Sequence, residues 1–130
     1  MKKVKFQQHG DLRGQLVAIE EEIDIPFKVK RVYFMYDTVS GVRRGYHAHK
    51  NLKQILFCVH GSCKVLLDDG LIKETVLLDK PYEGLYIEND IWREMFDFSE
   101  DAVLMVLASE HYNELDYIRD YDEFLKYKGL

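Results

Sequence analysis

The chain has 130 residues and a formal net charge of −5 at pH 7. The length predicts a single domain, residues 1–130, with a hydrophobic core large enough to fold without disulfides or a structural metal. Hydrophobic residues make up 47% of the chain and charged residues 32%, a composition that excludes a disordered or low-complexity protein. The acidic balance disfavours nucleic acid as a partner, because that binding depends on neutralising phosphates.

The chain also lacks the features of a membrane or secreted protein. No apolar run approaches the ~20 residues of a membrane span, and no apolar leader follows the basic start. Cys58 and Cys63 are too few for a disulfide framework. We therefore expect no membrane partner and a cytoplasmic protein in which both thiols are buried and reduced.

Short segments of alternating apolar and polar residues dominate the chain. Turn-forming clusters separate them, and Asp68-Asp69-Gly70 is a strong hairpin signal. Many short strands at this spacing predict an all-β sandwich or barrel. The predicted strands span 15–20, 29–36, 54–59, 63–67, 71–78, 85–88, 91–98 and 102–108.

The end of the chain changes period. Leu115, Ile118, Tyr121 and Leu125 recur at helical spacing with charged residues between them, which predicts an amphipathic helix over 114–126. We expect its apolar face to pack on the outside of the β-structure or on a partner chain.

A pair of histidines two residues apart is the most informative pattern. On a strand, His47 and His49 project from one face, and Ala48 projects from the other. Two imidazoles on one face can bind a metal or move protons. An isolated pair would more simply be packed or surface histidines.

The spacing of Gly41, His47, His49 and Gly61 resembles the first motif of the cupins. Two positions depart from the cupin metal site, which usually has three histidines and one glutamate. Gln54 replaces the glutamate, and Arg93 lies where the second motif has its histidine. An amide is a weak ligand for a divalent cation and a guanidinium offers no lone pair. We therefore expect no metal and histidines with the ordinary pKa of ~6.5.

The chain as a whole resembles the dTDP-4-keto-6-deoxyglucose 3,4-ketoisomerases. The resemblance runs in order along nearly the whole chain and implies a single cupin (jelly-roll) β-barrel with one short C-terminal helix. It implies an isomerase without a cofactor, usually a homodimer, that moves the ketone of a dTDP-linked 4-keto-6-deoxy sugar from C4 to C3. The product then enters the synthesis of a 3-amino-3,6-dideoxy sugar. The matching segments are 11–16, 25–27, 30–33, 44–50, 61–63, 91–95, 106–109 and 116–121.

The resemblance also implies catalytic roles. His47 is the leading base, and Tyr33 is a hydrogen-bonding or acid partner. His49 shuttles the hydroxyl proton or orients the sugar, and the division of labour between the two histidines stays open. Without the resemblance, Tyr33 would be read as ordinary strand packing.

Arginines are the expected substrate-binding residues, because a guanidinium suits bidentate contacts with phosphate. Arg13, Arg44 and Arg93 are assigned to the pocket, and Arg31 is a further candidate because it shares a predicted strand face with Tyr33. A surface salt bridge is the alternative for each. Arginine at both 13 and 93 leaves the C4 configuration of the product, gluco or galacto, open.

Three other functions stay in competition. A dTDP-4-keto sugar 3,5-epimerase would use the same substrate and similar enediolate chemistry. A metal cupin such as a dioxygenase would need a bound transition metal. A non-enzymatic sugar-binding cupin would need its histidines only for hydrogen bonds.

Overall fold

Two antiparallel five-stranded sheets form the protein in a computed structural model, which describes residues 2–130. A two-stranded hairpin and one short helix complete it. The first sheet has the order β1 (Lys2–Lys5), β9 (Glu83–Ile87), β6 (Gln54–His60), β11 (Val103–Ala108), β4 (Arg31–Met35). The second has the order β12 (Tyr117–Ile118), β5 (Arg44–His49), β10 (Trp92–Phe96), β7 (Cys63–Asp68), β8 (Lys73–Leu78). The hairpin consists of β2 (Gln7–Asp11) and β3 (Gly14–Ala18).

The two sheets pack face to face. Leu56 and Leu104 of the first sheet meet Val65 and Leu67 of the second, and all four side chains are at most 1% exposed. The strand β6 is covered on its other face as well, where Phe57 packs on Phe6 and Phe27. Burial on both faces explains why β6 is a nearly continuous apolar run rather than an alternating one.

The all-β class with one C-terminal helix is confirmed, but the sheets are not closed into the expected barrel. Each sheet keeps two edge strands, β1 and β4 in the first and β12 and β8 in the second. No strand pairing joins these edges within residues 2–130. The architecture is therefore a sandwich, in which the core lies between two open sheets.

The helix predicted over 114–126 is wrong in its first half. Residues Glu114–Asp116 form a single 3-10 turn, β12 follows, and the helix α1 spans only Tyr121–Tyr127. The side chain of Asn113 accepts a hydrogen bond from the backbone N–H of Leu115, and that of Asp120 accepts one from Asp122. Two separate N-caps thus divide the segment, and the N-cap preference outweighs helical spacing there.

The helix packs on the outer face of the second sheet, as expected. Phe124 is fully buried against Trp92, Ala48 and Ile118. Ala48 is the residue between the two histidines, so this packing supports β5 from behind. No helix within the described residues 2–130 is long and apolar enough to cross a membrane.

The two cysteines face each other across the turn at Gly61. Both are buried and free, and their sulfur atoms lie 3.6 Å apart. The expected buried, unbridged thiols are therefore what the structure has.

Candidate active site

A bulge in β5 sets the position of the two histidines. Gly45 and Tyr46 adopt positive φ angles of 96° and 56°, and the register with β10 shifts between Arg93 and Glu94. A Cβ on residue 45 would lie 2.9 Å from the carbonyl oxygen of Arg93, so only glycine fits. Bulges of this kind re-aim the side chains that follow.

The imidazoles lie side by side, as the spacing predicts. The ring centroids of His47 and His49 are 4.9 Å apart and their planes are nearly perpendicular. Tyr117 packs on both rings, at 5.1 Å from His47 and 4.4 Å from His49. This tyrosine reaches the pair because β12 is hydrogen-bonded to the end of β5.

Each histidine has one nitrogen next to an oxygen. His47 Nδ1 lies 3.0 Å from the carbonyl oxygen of Gly45, and His49 Nδ1 lies 3.1 Å from Oδ2 of Asp116. A carbonyl accepts only, so Nδ1 of a neutral His47 donates there and the lone pair lies on Nε2.

Both histidines are held neutral, and the expectation of an ordinary pKa is wrong. Burial, with the positive charge of Arg93, lowers the pKa of His47 to about 4 and that of His49 to about 2. Desolvation disfavours the charged imidazolium, and a nearby cation disfavours it further. Each imidazole therefore keeps one unprotonated nitrogen at neutral pH.

Tyr33 belongs to a buried hydrogen-bonded chain. Arg93 donates from Nη1 to the side-chain oxygen of Gln54, and Gln54 donates from Nε2 to the Tyr33 hydroxyl at 2.8 Å. Arg93 also donates from Nη2 to the carbonyl oxygen of Ile91 at 3.1 Å. Since the Tyr33 oxygen accepts from Gln54, its own hydrogen remains available to donate elsewhere. Burial raises the pKa of Tyr33, which keeps the phenol protonated.

A cavity of about 460 Å³ lies beside Tyr33, at the end of this series of hydrogen bonds. Its lining contains His47, Tyr33 and the guanidinium groups of Arg31, Arg44 and Arg119. The alternation predicted for β4 is confirmed, because Arg31, Tyr33 and Met35 are half-buried whereas Val32 and Phe34 between them are exposed.

The cavity is strongly basic. The Nε and Nη2 atoms of Arg31 are buried and have no hydrogen-bond partner within the described residues. Burial lowers the pKa of Arg93 to about 10, so this guanidinium too is charged at neutral pH. Buried cations without a carboxylate partner favour an anionic ligand.

Two expected site residues do not line this cavity: His49 lines a neighbouring cavity with Asp116, and Arg93 is fully buried. Arg13 lies elsewhere. It stands at the exposed tip of the β2–β3 hairpin, where it pairs with Asp11 and lines a shallow depression formed by 9–16. In the single chain it therefore does not join the cavity that holds His47.

Three residues near the site were not identified from the sequence: Asp116, Tyr117 and Arg119. Arg119 lies over the Tyr117 ring at 4.1 Å and binds Glu114. All three lie in the segment that was taken for the first half of a helix. The turn-forming Asn113 and Asp120 were the signal that this segment is extended.

The residues at the cupin ligand positions do not fit a metal ion. Within residues 2–130 no group of three or more His, Cys, Asp or Glu side chains could hold one. Gln54 and Arg93 are bonded to each other instead, and a charged guanidinium cannot ligate a cation.

Comparisons with known proteins match this chain to one family. The family model described as FdtA, WxcM-like, C-terminal, matches residues 1–129. The TDP-4-oxo-6-deoxy-alpha-D-glucose-3,4-oxoisomerase of Aneurinibacillus thermoaerophilus is 55% identical over 126 residues, which are 97% of this chain and 91% of the relative. The chain belongs to the 3,4-ketoisomerase family. Its members are isomerases.

Two solved ketoisomerases have the same fold throughout. The enzyme from Helicobacter canadensis is 48% identical, with a TM-score of 0.96 over 98% of this chain and 96% of its own. QdtA from Thermoanaerobacterium thermosaccharolyticum is 46% identical, with a TM-score of 0.96 over 98% of this chain and 92% of its own. The latter is a histidine-to-asparagine mutant solved in complex with TDP-4-keto-6-deoxyglucose.

Proposed function

We propose that this chain moves the ketone of TDP-4-keto-6-deoxyglucose from C4 to C3 without a metal. The observation that carries the proposal is the pair of neutral imidazoles beside a cavity lined by three arginines, of which Arg31 has two buried nitrogens without a partner. The chain is also 55% identical to an oxoisomerase named for that substrate. The product is a 3-keto sugar, which suits later conversion to a 3-amino-3,6-dideoxy sugar.

The arginines bind the diphosphate in this proposal. Arg31 and Arg44 line the cavity, and the two unpartnered nitrogens of Arg31 are hydrogen-bond donors that a phosphate oxygen can satisfy. Arg119 also lines the cavity, but its charge is balanced by the carboxylate of Glu114. The positive potential of Arg31 and Arg44 attracts the diphosphate to the cavity.

His47 is the base. Its Nδ1 is committed to the carbonyl of Gly45, so Nε2 takes the proton from C3 and later returns it to C4. A base with a pKa of about 4 is far weaker than the conjugate base of a carbon acid. Most of the barrier must therefore be met by stabilising the enediolate.

Tyr33 and Arg93 supply that stabilisation. The Tyr33 hydroxyl has its hydrogen free, since its oxygen accepts from Gln54. Arg93 lies one hydrogen bond further back and places its positive charge beneath the site. A donor aimed at a developing oxyanion contributes roughly 10²–10³-fold to a rate.

A homodimer and a cytoplasmic location remain part of the proposal. Val32 and Phe34 project outward from the edge strand β4 and are each 55% exposed. A second copy of the chain would cover these apolar side chains. The dimer also offers Arg13 a route to substrate, because the hairpin tip lies at the surface of its own chain. Free buried thiols agree with a reducing compartment.

The test is to follow TDP-4-keto-6-deoxyglucose by NMR in heavy water with a chelator present. The proposal expects the ketone at C3, with deuterium at C4 to the extent that the proton on His47 exchanges with solvent before it is returned. The same spectrum gives the C4 configuration. Deuterium at C3 and C5 with the ketone still at C4 would instead identify a 3,5-epimerase. An unchanged ketone position and no deuterium at any ring carbon, with tight binding, would identify a sugar-binding cupin.

Two variants, each with one histidine replaced, make the test more specific. His47→Asn is expected to lower the rate by ~10²-fold or more, as for a missing acid–base group. His60→Asn is the matched control, because His60 is an exposed histidine, at 66% side-chain exposure, bound only to the surface residue Asp101. It is expected to leave the rate unchanged.

A further inference from the structure

Asp116 is locked in place behind the catalytic histidines. It is 9% exposed and its carboxylate accepts the backbone N–H of Asn51 at 2.8 Å and that of Leu52 at 3.3 Å. Its own backbone N–H donates to Asn113, and its carbonyl accepts from Lys50. These hydrogen bonds therefore fix the orientation of the carboxylate independently of His49.

The carboxylate determines which nitrogen of His49 carries a proton. Oδ2 of Asp116 lies 3.1 Å from His49 Nδ1. A carboxylate that already accepts two backbone N–H groups can only accept from the imidazole as well, so Nδ1 is the protonated nitrogen. The lone pair of a neutral His49 then lies on Nε2.

That lone pair has no partner. His49 Nε2 is buried and makes no hydrogen bond with any described residue. His49 lies against the rings of His47 and Tyr117, both of which line the cavity. A buried acceptor left unpaired beside a ligand cavity points to a donor on the ligand.

We infer that Asp116 is a positioning residue that fixes the Nδ1-protonated form of His49 and so makes Nε2 the acceptor for the sugar hydroxyl. The inference rests on the proposed function and deepens it, because it names the residue that sets which nitrogen of His49 carries the proton. His47 carries the carbon-bound proton from C3 to C4. His49 takes the proton from the oxygen on C3 and gives it to the oxygen on C4.

The proton count balances in this scheme. One O–H bond breaks at C3 and one forms at C4, while one C–H bond breaks at C3 and one forms at C4. Both imidazoles end as they began. Asp116 stabilises the imidazolium that His49 becomes in passing, as the aspartate of a hydrolase triad does.

The substitution Asp116→Asn tests the inference through the tautomer. The amide oxygen can keep the hydrogen bond from Asn51, which turns the NH₂ group toward His49 Nδ1. Nδ1 must then accept and Nε2 must carry the proton. In the ¹⁵N spectrum of the labelled protein, Nδ1 is expected to be protonated and Nε2 unprotonated in the wild type, and the reverse in the variant.

Activity gives the second readout. The variant is expected to lose roughly 10²-fold or more in kcat with KM changed by only a few fold, because the sugar is still bound by the arginines. In a His49→Gln background, Asp116→Asn is expected to add no further loss, since Asp116 acts through His49.

Asp68→Asn is the matched control. Asp68 is 2% exposed and accepts a backbone N–H from Gly70 and a hydroxyl from Tyr121, but faces no histidine. Its variant is expected to lower Tm while leaving kcat and the His49 tautomer unchanged.

Two results would overturn the inference. The first is a wild-type His49 that is protonated at Nε2, a measurement that does not depend on any variant folding. The second is an Asp116→Asn protein that keeps its kcat. The tautomer is measured without substrate. A chain with the expected tautomer but no isomerase activity would therefore overturn the proposed function and leave the role of Asp116 in fixing His49 intact.

Discussion

Arg93 donates a hydrogen bond to Gln54, and these side chains, 1% and 2% exposed, are the two at which the sequence departs from a metal-binding cupin. The two departures are therefore one structural feature. The Arg93–Gln54 pair takes the place of two ligands and holds the Tyr33 hydroxyl. In the proposed reaction, this pair orients the hydroxyl that donates to the oxyanion.

Gln54→Glu is expected to impair catalysis without unfolding the protein. The glutamate would pair with Arg93, but its second oxygen can only accept, so the Tyr33 hydroxyl would turn its hydrogen toward it. The donor aimed at the enediolate is then lost, and we expect kcat to fall roughly 10²-fold. Steady-state kinetics measure the fall, and thermal unfolding checks that the fold is retained.

Tyr33→Phe provides the comparison for that variant. If Gln54 acts through Tyr33, the double variant Tyr33→Phe, Gln54→Glu should be no slower than Tyr33→Phe alone. If Gln54→Glu keeps full activity, Gln54 has no role in the reaction. If the losses of the two single variants add in the double variant, Gln54 does not act through Tyr33.

Chelation is expected to leave the activity unchanged. The donor set at the ligand positions contains a guanidinium, which repels a cation, and a neutral amide, which binds one weakly. Activity should survive dialysis against a chelator and should not rise on adding Fe²⁺ or Ni²⁺. Stoichiometric metal in the active protein, together with loss of rate on chelation, would contradict this.

Much of the fold could be predicted because most of its strands carry a period-two pattern and β6 is a continuous apolar run of strand length. β4, β6, β7, β10 and β11 all fall within the predicted segments or within one residue of them. The strands β1 and β2, with the sequences KKVK and QQHGD, were missed, because edge and hairpin strands facing solvent carry no apolar alternation. Closure of the sheets also could not be read from strand periodicity, which says nothing about edges.

The candidate site was predictable where regular strand alternation places the residues, and not where irregular segments meet. His47, His49 and Tyr33 follow from strand alternation together with the family resemblance. Asp116 reaches His49 across 67 positions of sequence through a 3-10 turn and a two-residue strand, neither of which has a strong local pattern. The pKa values of the histidines depend on burial and on Arg93, and burial is a property of the folded chain.

Stability is expected to fall as the pH drops below ~6.5, the pKa of histidine in the unfolded chain. The folded protein lowers the pKa of His47 to about 4 and that of His49 to about 2. Between roughly pH 6 and 4 the unfolded chain therefore binds more protons than the folded one, and acid favours unfolding. Each histidine contributes up to about 1.4 kcal/mol per pH unit to the decline.

Denaturant unfolding at several pH values between about 7 and 4.5 measures this slope, in a window above the ordinary carboxylate pKa values. His47→Asn should remove about half of the contribution from the two histidines. A free energy of unfolding that stays constant over this window would show that the histidines are not held neutral.

Gly45→Ala is expected to disrupt the bulge that aims the histidines. Gly45 has a φ of 96°, and an added Cβ would lie 2.9 Å from the backbone oxygen of Arg93. Gly41→Ala is the matched control, because Gly41 has a similar φ of 79° with nothing within 4 Å of the added Cβ. The control carries only the left-handed strain, about 1–2 kcal/mol, whereas Gly45→Ala also forces β5 away from β10.

We expect the Gly45 variant to be the less stable of the two by denaturant unfolding and to lose most of its kcat, since His47 follows the bulge directly. Equal stability and equal activity in the two variants would mean that the close approach of Gly45 to Arg93 does not position the base.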